Sequence, residues 1–126
     1  MTEPVVFISE FRVRSGAETP LREAATHAVE LIRSAKPGTA LYAAYLDGSA
    51  STVRFVHAFP DGEALGRHFD GADERAGTVA EILVPAGFEL YGRAPAGPTE
   101  QLQRDADGAG VLFERFPDAI AGFLRA

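Results

Sequence analysis

The sequence predicts an α+β fold, a four-stranded antiparallel sheet with two helices on one face. Three observations predict it. Short β-branched and aromatic runs stand at Val5–Val13, Thr39–Leu46, Thr52–Phe59 and Phe88–Arg93. Helically spaced apolar residues separate the first run from the second and the third from the fourth. The order β-α-β in Val5–Leu46 returns in Thr52–Arg93, so the chain reads as two β-α-β units in the split, ferredoxin-like plan.

Each element has a local reason. Val5–Val13 places Val5, Phe7, Ser9, Phe11 and Val13 on one face, and Val6, Ile8, Glu10 and Arg12 on the other. Both faces begin apolar, as in a central strand covered on both sides. Ser15-Gly16 breaks the run. Thr19 then reads as an N-cap with Pro20 at the first helical position, and Leu21, Ala25, Ala28, Ile32 and Ala35 form one helical face. Lys36-Pro37-Gly38 stops that helix. Asp47–Ser51 is a glycine-containing hairpin loop between the second and third strands. Asp61 is an N-cap candidate for a helix over Glu63–Phe69. The pattern breaks near Gly71 and resumes from Asp73 to Leu83, with Ala76, Val79, Ala80 and Leu83 inward, until Pro85 and Gly87 end it.

Right-handed crossovers put both helices on the same face of the sheet. The other face then carries Val6, Ile8, Tyr42, Ala44, Leu46, Val56, Ala58 and Tyr91 in the open. An apolar face of that size calls for a cover, so a homodimer is expected. Residues 1–93 form this module. Residues 94–126 form a C-terminal arm, with a Pro/Gly connection, a helix from Thr99 to Asp107, a fifth strand at Val111–Phe116 and an apolar tail at Ile120–Leu124. The arm is too short to fold alone and is expected to pack on the same domain or on a dimer partner.

Composition narrows the function. The 126 residues make one domain. Eighteen acids against twelve bases give a net charge of −6, and Lys36 is the only lysine, which argues against a nucleic-acid partner. No apolar run approaches membrane-spanning length, and the Met1–Pro4 start does not read as a secretory signal. The chain has no Cys, Trp or Asn. The lack of cysteine removes disulfides, a thiolate nucleophile and thiolate metal sites and fits a reducing cytoplasm. No paired-histidine spacing suggests a metal site, and no cofactor motif is present.

The opening strand ending in Arg14-Ser15-Gly16, the helix ending in Lys36-Pro37-Gly38, the hairpin at Asp47-Gly48 and the run Arg54 to His68 together resemble the antibiotic-biosynthesis-monooxygenase-like family. The last run contains Asp61-Gly-Glu-Ala-Leu-Gly-Arg-His68, similar to the family's strand-to-helix stretch with Asp, Ala-Leu and His. The resemblance spans residues 5–93. It implies a homodimer in which two sheets form an α/β barrel. It also implies a pocket between sheet and helices, faced by Ser9, Phe11, His57 and Phe59. His57 and Phe59 fall where family members often carry an acid and a tryptophan. The asparagine of heme-degrading members falls on Ser9. Without Asn or Trp, the resemblance disfavours heme degradation and the quinone-forming oxygenation assigned to those residues.

What remains is a histidine in an aromatic setting. Buried among apolar groups, His57 is expected to stay neutral and serve as a base. A base that removes a phenolic or quinol proton creates an anion rich enough to reduce O₂ without a cofactor. His68 would be its helper if the helix turns it inward. Ser9, Phe11, Tyr45 and Phe59 would line the site for a small aromatic ligand, with Tyr45 offering its hydroxyl. The same His57 serves equally as a hydrogen-bonded structural residue. The expected function is therefore a cofactor-independent monooxygenase of a quinol-like or polyphenolic substrate. The alternative is a non-catalytic ligand-binding or dimeric interaction module. An isomerase or lyase using the same base is a third option.

Overall fold

β1 (Val5–Val13) is the central strand of the sheet in the computed structural model, which describes residues 3–69 and 81–125. The chain continues through α1 (Glu18–Ala35), β2 (Leu41–Leu46), β3 (Thr52–Phe59), α2 (Gly62–Phe69), β4 (Leu83–Tyr91), α3 (Ala96–Ala109) and β5 (Leu112–Phe116). Among the described residues the sheet has five strands in the order β2-β3-β1-β4-β5. The first four pair antiparallel, as the split β-α-β plan requires. β5 joins the edge parallel to β4 after the α3 crossover.

Local signals place the ends of the elements. α1 stops at Lys36, whose N–H bonds to the Ile32 carbonyl. Its start differs from expectation: Ala17, not Thr19, occupies the N-cap, and no side chain caps the helix. Asp61 caps α2, its Oδ1 accepting the Ala64 N–H at 2.9 Å. In the β2–β3 hairpin Asp47 accepts the N–H groups of Ser51 and Thr52 at 2.9 and 3.0 Å. The Thr52 bond, followed by the Ser49 hydroxyl, lowers the Asp47 carboxyl pKa from its ordinary value.

β4 begins five residues before the expected Phe88. The expected helix segment with Ala76, Val79 and Ala80 falls in residues 70–80, outside the described residues, and its expected end, Leu83, opens the strand. Pro85 and Gly87 read as breakers, yet both lie inside β4 at an irregularity. Glu10 pairs with Gly87 and Phe11 with Pro85, so Ala86 is an extra residue in the ladder. A bulge of this kind accommodates proline and glycine within a strand. At the far end Gly92 takes φ +96°, and a Cβ there would meet the Pro4 carbonyl oxygen at 2.8 Å, so the exit from β4 past β1 needs glycine.

The register sorts the two faces. Phe7 lies opposite His57, Ser9 opposite Phe55, and Tyr42 opposite His57 from the other side. Tyr42, Ala44 and Leu46 therefore sit on the helix-covered face, and the open face takes Leu41, Ala43 and Tyr45 from β2. This corrects the expected assignment of β2; a one-residue change of register moves every side chain to the other face. The open face also carries Val6, Ile8, Val56, Ala58 and Tyr91, with the Arg54–Glu10 ion pair at 2.7 Å beside them. Tyr91 bonds to Glu89 and stacks on Phe116. The Glu89 bond, with desolvation, pushes the Tyr91 phenol up to about 12.

The helix-covered face holds two groups of packed residues. Val5, Phe7, Phe59, Leu65, Phe88 and Leu90 pack with Leu102 and Ala106 of α3. Leu21 of α1 packs with Val53, Phe55 and Leu83. The helix of the arm is longer than expected, starting at Ala96 and ending at Ala109. Beyond β5 the Arg93–Asp118 ion pair, at 2.6 Å, holds the start of the tail, while Ile120 and Phe123 are 97% and 76% exposed. Leu102→Ala should lower the unfolding free energy by about 3 kcal/mol, read by urea denaturation. A loss below about 1 kcal/mol would mean that α3 does not share the core.

Candidate active site

Three strands and one helix bring six rings together on the covered face. β1 supplies Phe7, β2 supplies Tyr42, β3 supplies His57 and Phe59, and α2 supplies His68 and Phe69. The strand residues meet because Phe7, His57 and Tyr42 share one rung of the sheet. α2 joins them because Ala64, Leu65 and His68 fall on one helical face and turn inward together. The inward orientation of His68, which the sequence left open, follows from that phase.

His57 is 5% exposed and His68 is 4% exposed. Their ring centroids are 5.0 Å apart at an interplanar angle of 76°. His57 stacks on Phe7 at 5.0 Å and meets the edge of Tyr42 at 4.9 Å. His68 stands 5.3 Å from Phe59 and 5.9 Å from Tyr42. His57 Nδ1 lies 3.0 Å from the Phe7 carbonyl oxygen. A carbonyl only accepts, so Nδ1 carries the hydrogen, and in the neutral ring the basic lone pair is on Nε2. His68 Nδ1 lies 3.0 Å from the Thr39 hydroxyl. The two imidazoles thus stand together inside an aromatic wall.

The other expected site residues divide. Phe59 is buried and touches both histidines. Ser9 is buried on the same face one position beyond Phe7, opposite Phe55 and Phe88. Phe11 lies further along and packs edge-on against Phe55 and Phe88 at 5.8 and 6.3 Å. Tyr45 is a correction: it lies on the opposite face, 60% exposed. The tyrosine beside the histidines is Tyr42. The hairpin held a usable signal, because counting back from the Asp47–Thr52 closure puts Tyr42 opposite His57. Thr39 carried no such signal; its contact depends on how the α1–β2 loop meets α2.

A cleft of about 260 Å³ opens between α1 and the sheet, lined by Leu21, Ala25, Val29, Ala44, Leu46 and Val53, with Arg22 and Thr26 completing it. Ala44 and Leu46 continue the face of β2 that carries Tyr42, so cleft and histidines share one side of the sheet. Among the described residues no group of three or more His, Cys, Asp or Glu side chains forms a metal-binding cluster, and no helix is long and apolar enough to cross a membrane.

No protein-family model matches the chain, and no curated protein sequence matches it. Solved structures do. SnoaB from Streptomyces nogalater, a cofactor-independent oxygenase, superposes with a TM-score of 0.62 at 15% identity, over 77% of this chain and 99% of its own. A candidate antibiotic biosynthesis monooxygenase from Deinococcus radiodurans gives 0.61 at 16% identity, over 73% and 94%. The chain has the antibiotic-biosynthesis-monooxygenase-like fold. MupZ from Pseudomonas fluorescens extends the match, with a TM-score of 0.71 at 12% identity over 97% of this chain and 91% of its own. That match reaches into residues 94–126, and at these identities the likeness is one of fold.

Proposed function

We propose that the protein is a cofactor-independent monooxygenase of a quinol-like or polyphenolic aromatic, with His57 as base. The observation that carries the reading is the buried His57–His68 pair, with the His57 proton fixed at Nδ1 by the Phe7 carbonyl. His57 Nε2 takes the phenolic proton. The phenolate gives one electron to O₂, and the resulting radical and superoxide combine at the ring carbon para to the oxygen. The proton on that carbon passes to the distal oxygen as the O–O bond breaks, and that oxygen departs as hydroxide. His57, with His68 as its helper, returns the phenolic proton to it as water. One phenol and one O₂ give one quinone and one water, so the substrate supplies all four electrons and no external reductant enters. Tyr42 and Phe59 would hold the aromatic ring beside the pair, with Ser9 and Phe11 further along the same face.

The open sheet face supports a homodimer in which two sheets close a barrel. Val6, Ile8, Val56, Ala58 and Leu41 form a contiguous apolar block there, and a face-to-face two-fold arrangement would bury it twice. A second reading, a dimeric module that binds a small ligand without turnover, draws on the cleft under α1, whose apolar lining is aliphatic rather than aromatic.

Sedimentation should give a mass of roughly 27 kDa, twice the 13.4 kDa of one chain; a stable monomer at micromolar concentration would remove the barrel. His57→Asn keeps a donor for the Phe7 carbonyl and deletes the base. It should lower the quinol-dependent rate of O₂ uptake roughly 100- to 10,000-fold with less than about 1 kcal/mol lost in stability. Unfolding of the variant, or unchanged O₂ uptake, would assign His57 to the structure alone.

A further inference from the structure

The α1–β2 loop stands outside the chemistry proposed above, yet three of its residues meet the last turn of α2. Lys36 Nζ donates to the Arg67 carbonyl at 2.9 Å, in the last turn of α2. Gly38 packs so closely that a Cβ there would meet Ala64 Cβ at 3.3 Å and Arg67 Nη2 at 3.2 Å. The Thr39 hydroxyl reaches His68 Nδ1 at 3.0 Å. The loop is itself closed by the Thr39 N–H on the Lys36 carbonyl at 2.9 Å. It is a clamp on the helix turn that carries His68.

The clamp gives the two histidines different partners. His57 Nδ1 faces a carbonyl, which only accepts. His68 Nδ1 faces a hydroxyl, which also donates. Thr39 is partly buried and its hydroxyl lies 3.0 Å from His68 Nδ1, a contact in which either atom can donate; donation by the hydroxyl gives it the acceptor that buried polar groups usually find. We infer that Thr39 is a positioning residue that holds neutral His68 in the tautomer opposite to that of His57. His57 then carries its hydrogen on Nδ1 and its lone pair on Nε2, while His68 carries its hydrogen on Nε2. One ring is set to take a proton from its Nε2 side and the other to give one. The division of labour rests on the reading of the pair as acid–base machinery. The His57 tautomer rests on the Phe7 carbonyl, and the His68 tautomer is the inference drawn from Thr39.

The test needs no substrate, so its outcome is separate from that of the oxygenase reading. Two-bond ¹H–¹⁵N correlation spectra of the ¹⁵N-labelled protein, at a pH where both rings are neutral, identify the protonated nitrogen of each imidazole. The expected spectrum has His57 protonated on Nδ1 and His68 on Nε2. Thr39→Val should move the His68 Nδ1 resonance away from its hydrogen-bonded position, and Thr39→Ser should restore it. If Thr39→Val does not fold, Thr39→Ala replaces it, and the wild-type spectrum alone decides the tautomers. His68 protonated on Nδ1, or a Nδ1 resonance indifferent to loss of the hydroxyl, would overturn the inference.

Discussion

The pairing of β1 with β3 is the constraint on which the rest depends. From Val5 opposite Phe59 to Arg12 opposite Thr52 the two strands keep one continuous register. Strand alternation then forces Val5, Phe7, Ser9 and Phe11 onto the same face as Val53, Phe55, His57 and Phe59. The core and the histidine site are consequently one surface. The same register brings the Phe7 carbonyl to His57 Nδ1, so a backbone atom of the central strand sets the protonation geometry of the site. β2 inherits its phase from β3 and delivers Tyr42 to the same rung. A slip of one residue would place His57 on the open face and dissolve the site and the core together.

Two imidazoles this deeply buried would destabilise the fold if left without partners, by about 1–3 kcal/mol each. Here each Nδ1 has one, a carbonyl for His57 and a hydroxyl for His68. Their ring faces are covered by Phe7, Tyr42 and Phe59, which adds contact area in stacked and edge-on arrangements. A purely structural role for the pair would make use of the same contacts. The proposed chemistry draws on the difference between the two partners, a carbonyl that only accepts and a hydroxyl that also donates.

Much of this was legible before the structure. The alternation of Val5–Val13, the stop at Lys36-Pro37-Gly38 and the Asp61 cap are local signals, and each corresponds to an observed strand, helix end or cap bond. The features that were not legible depend on non-local geometry. Tyr45 and Tyr42 both lie in an apolar run, and choosing between them takes a register count back from the Asp47–Thr52 hairpin closure, which composition alone does not supply. Pro85 and Gly87 carry the composition of a break, and only the irregular ladder against β1 shows them inside a strand. Thr39 lies 29 residues from His68 along the chain; no spacing rule connects a loop residue to a helix residue at that separation.

The most direct test of the central claim, that His57 removes a substrate proton, is anaerobic absorbance spectroscopy. The protein is mixed without O₂ with a naphthol whose anion absorbs apart from its neutral form, at a pH where the free naphthol is neutral. Proton transfer to His57 should give the bound ligand the anion spectrum, and His57→Asn, still folded, should bind it in the neutral form. A ligand that binds the wild-type protein and stays neutral, or ionises equally in the variant, would contradict it.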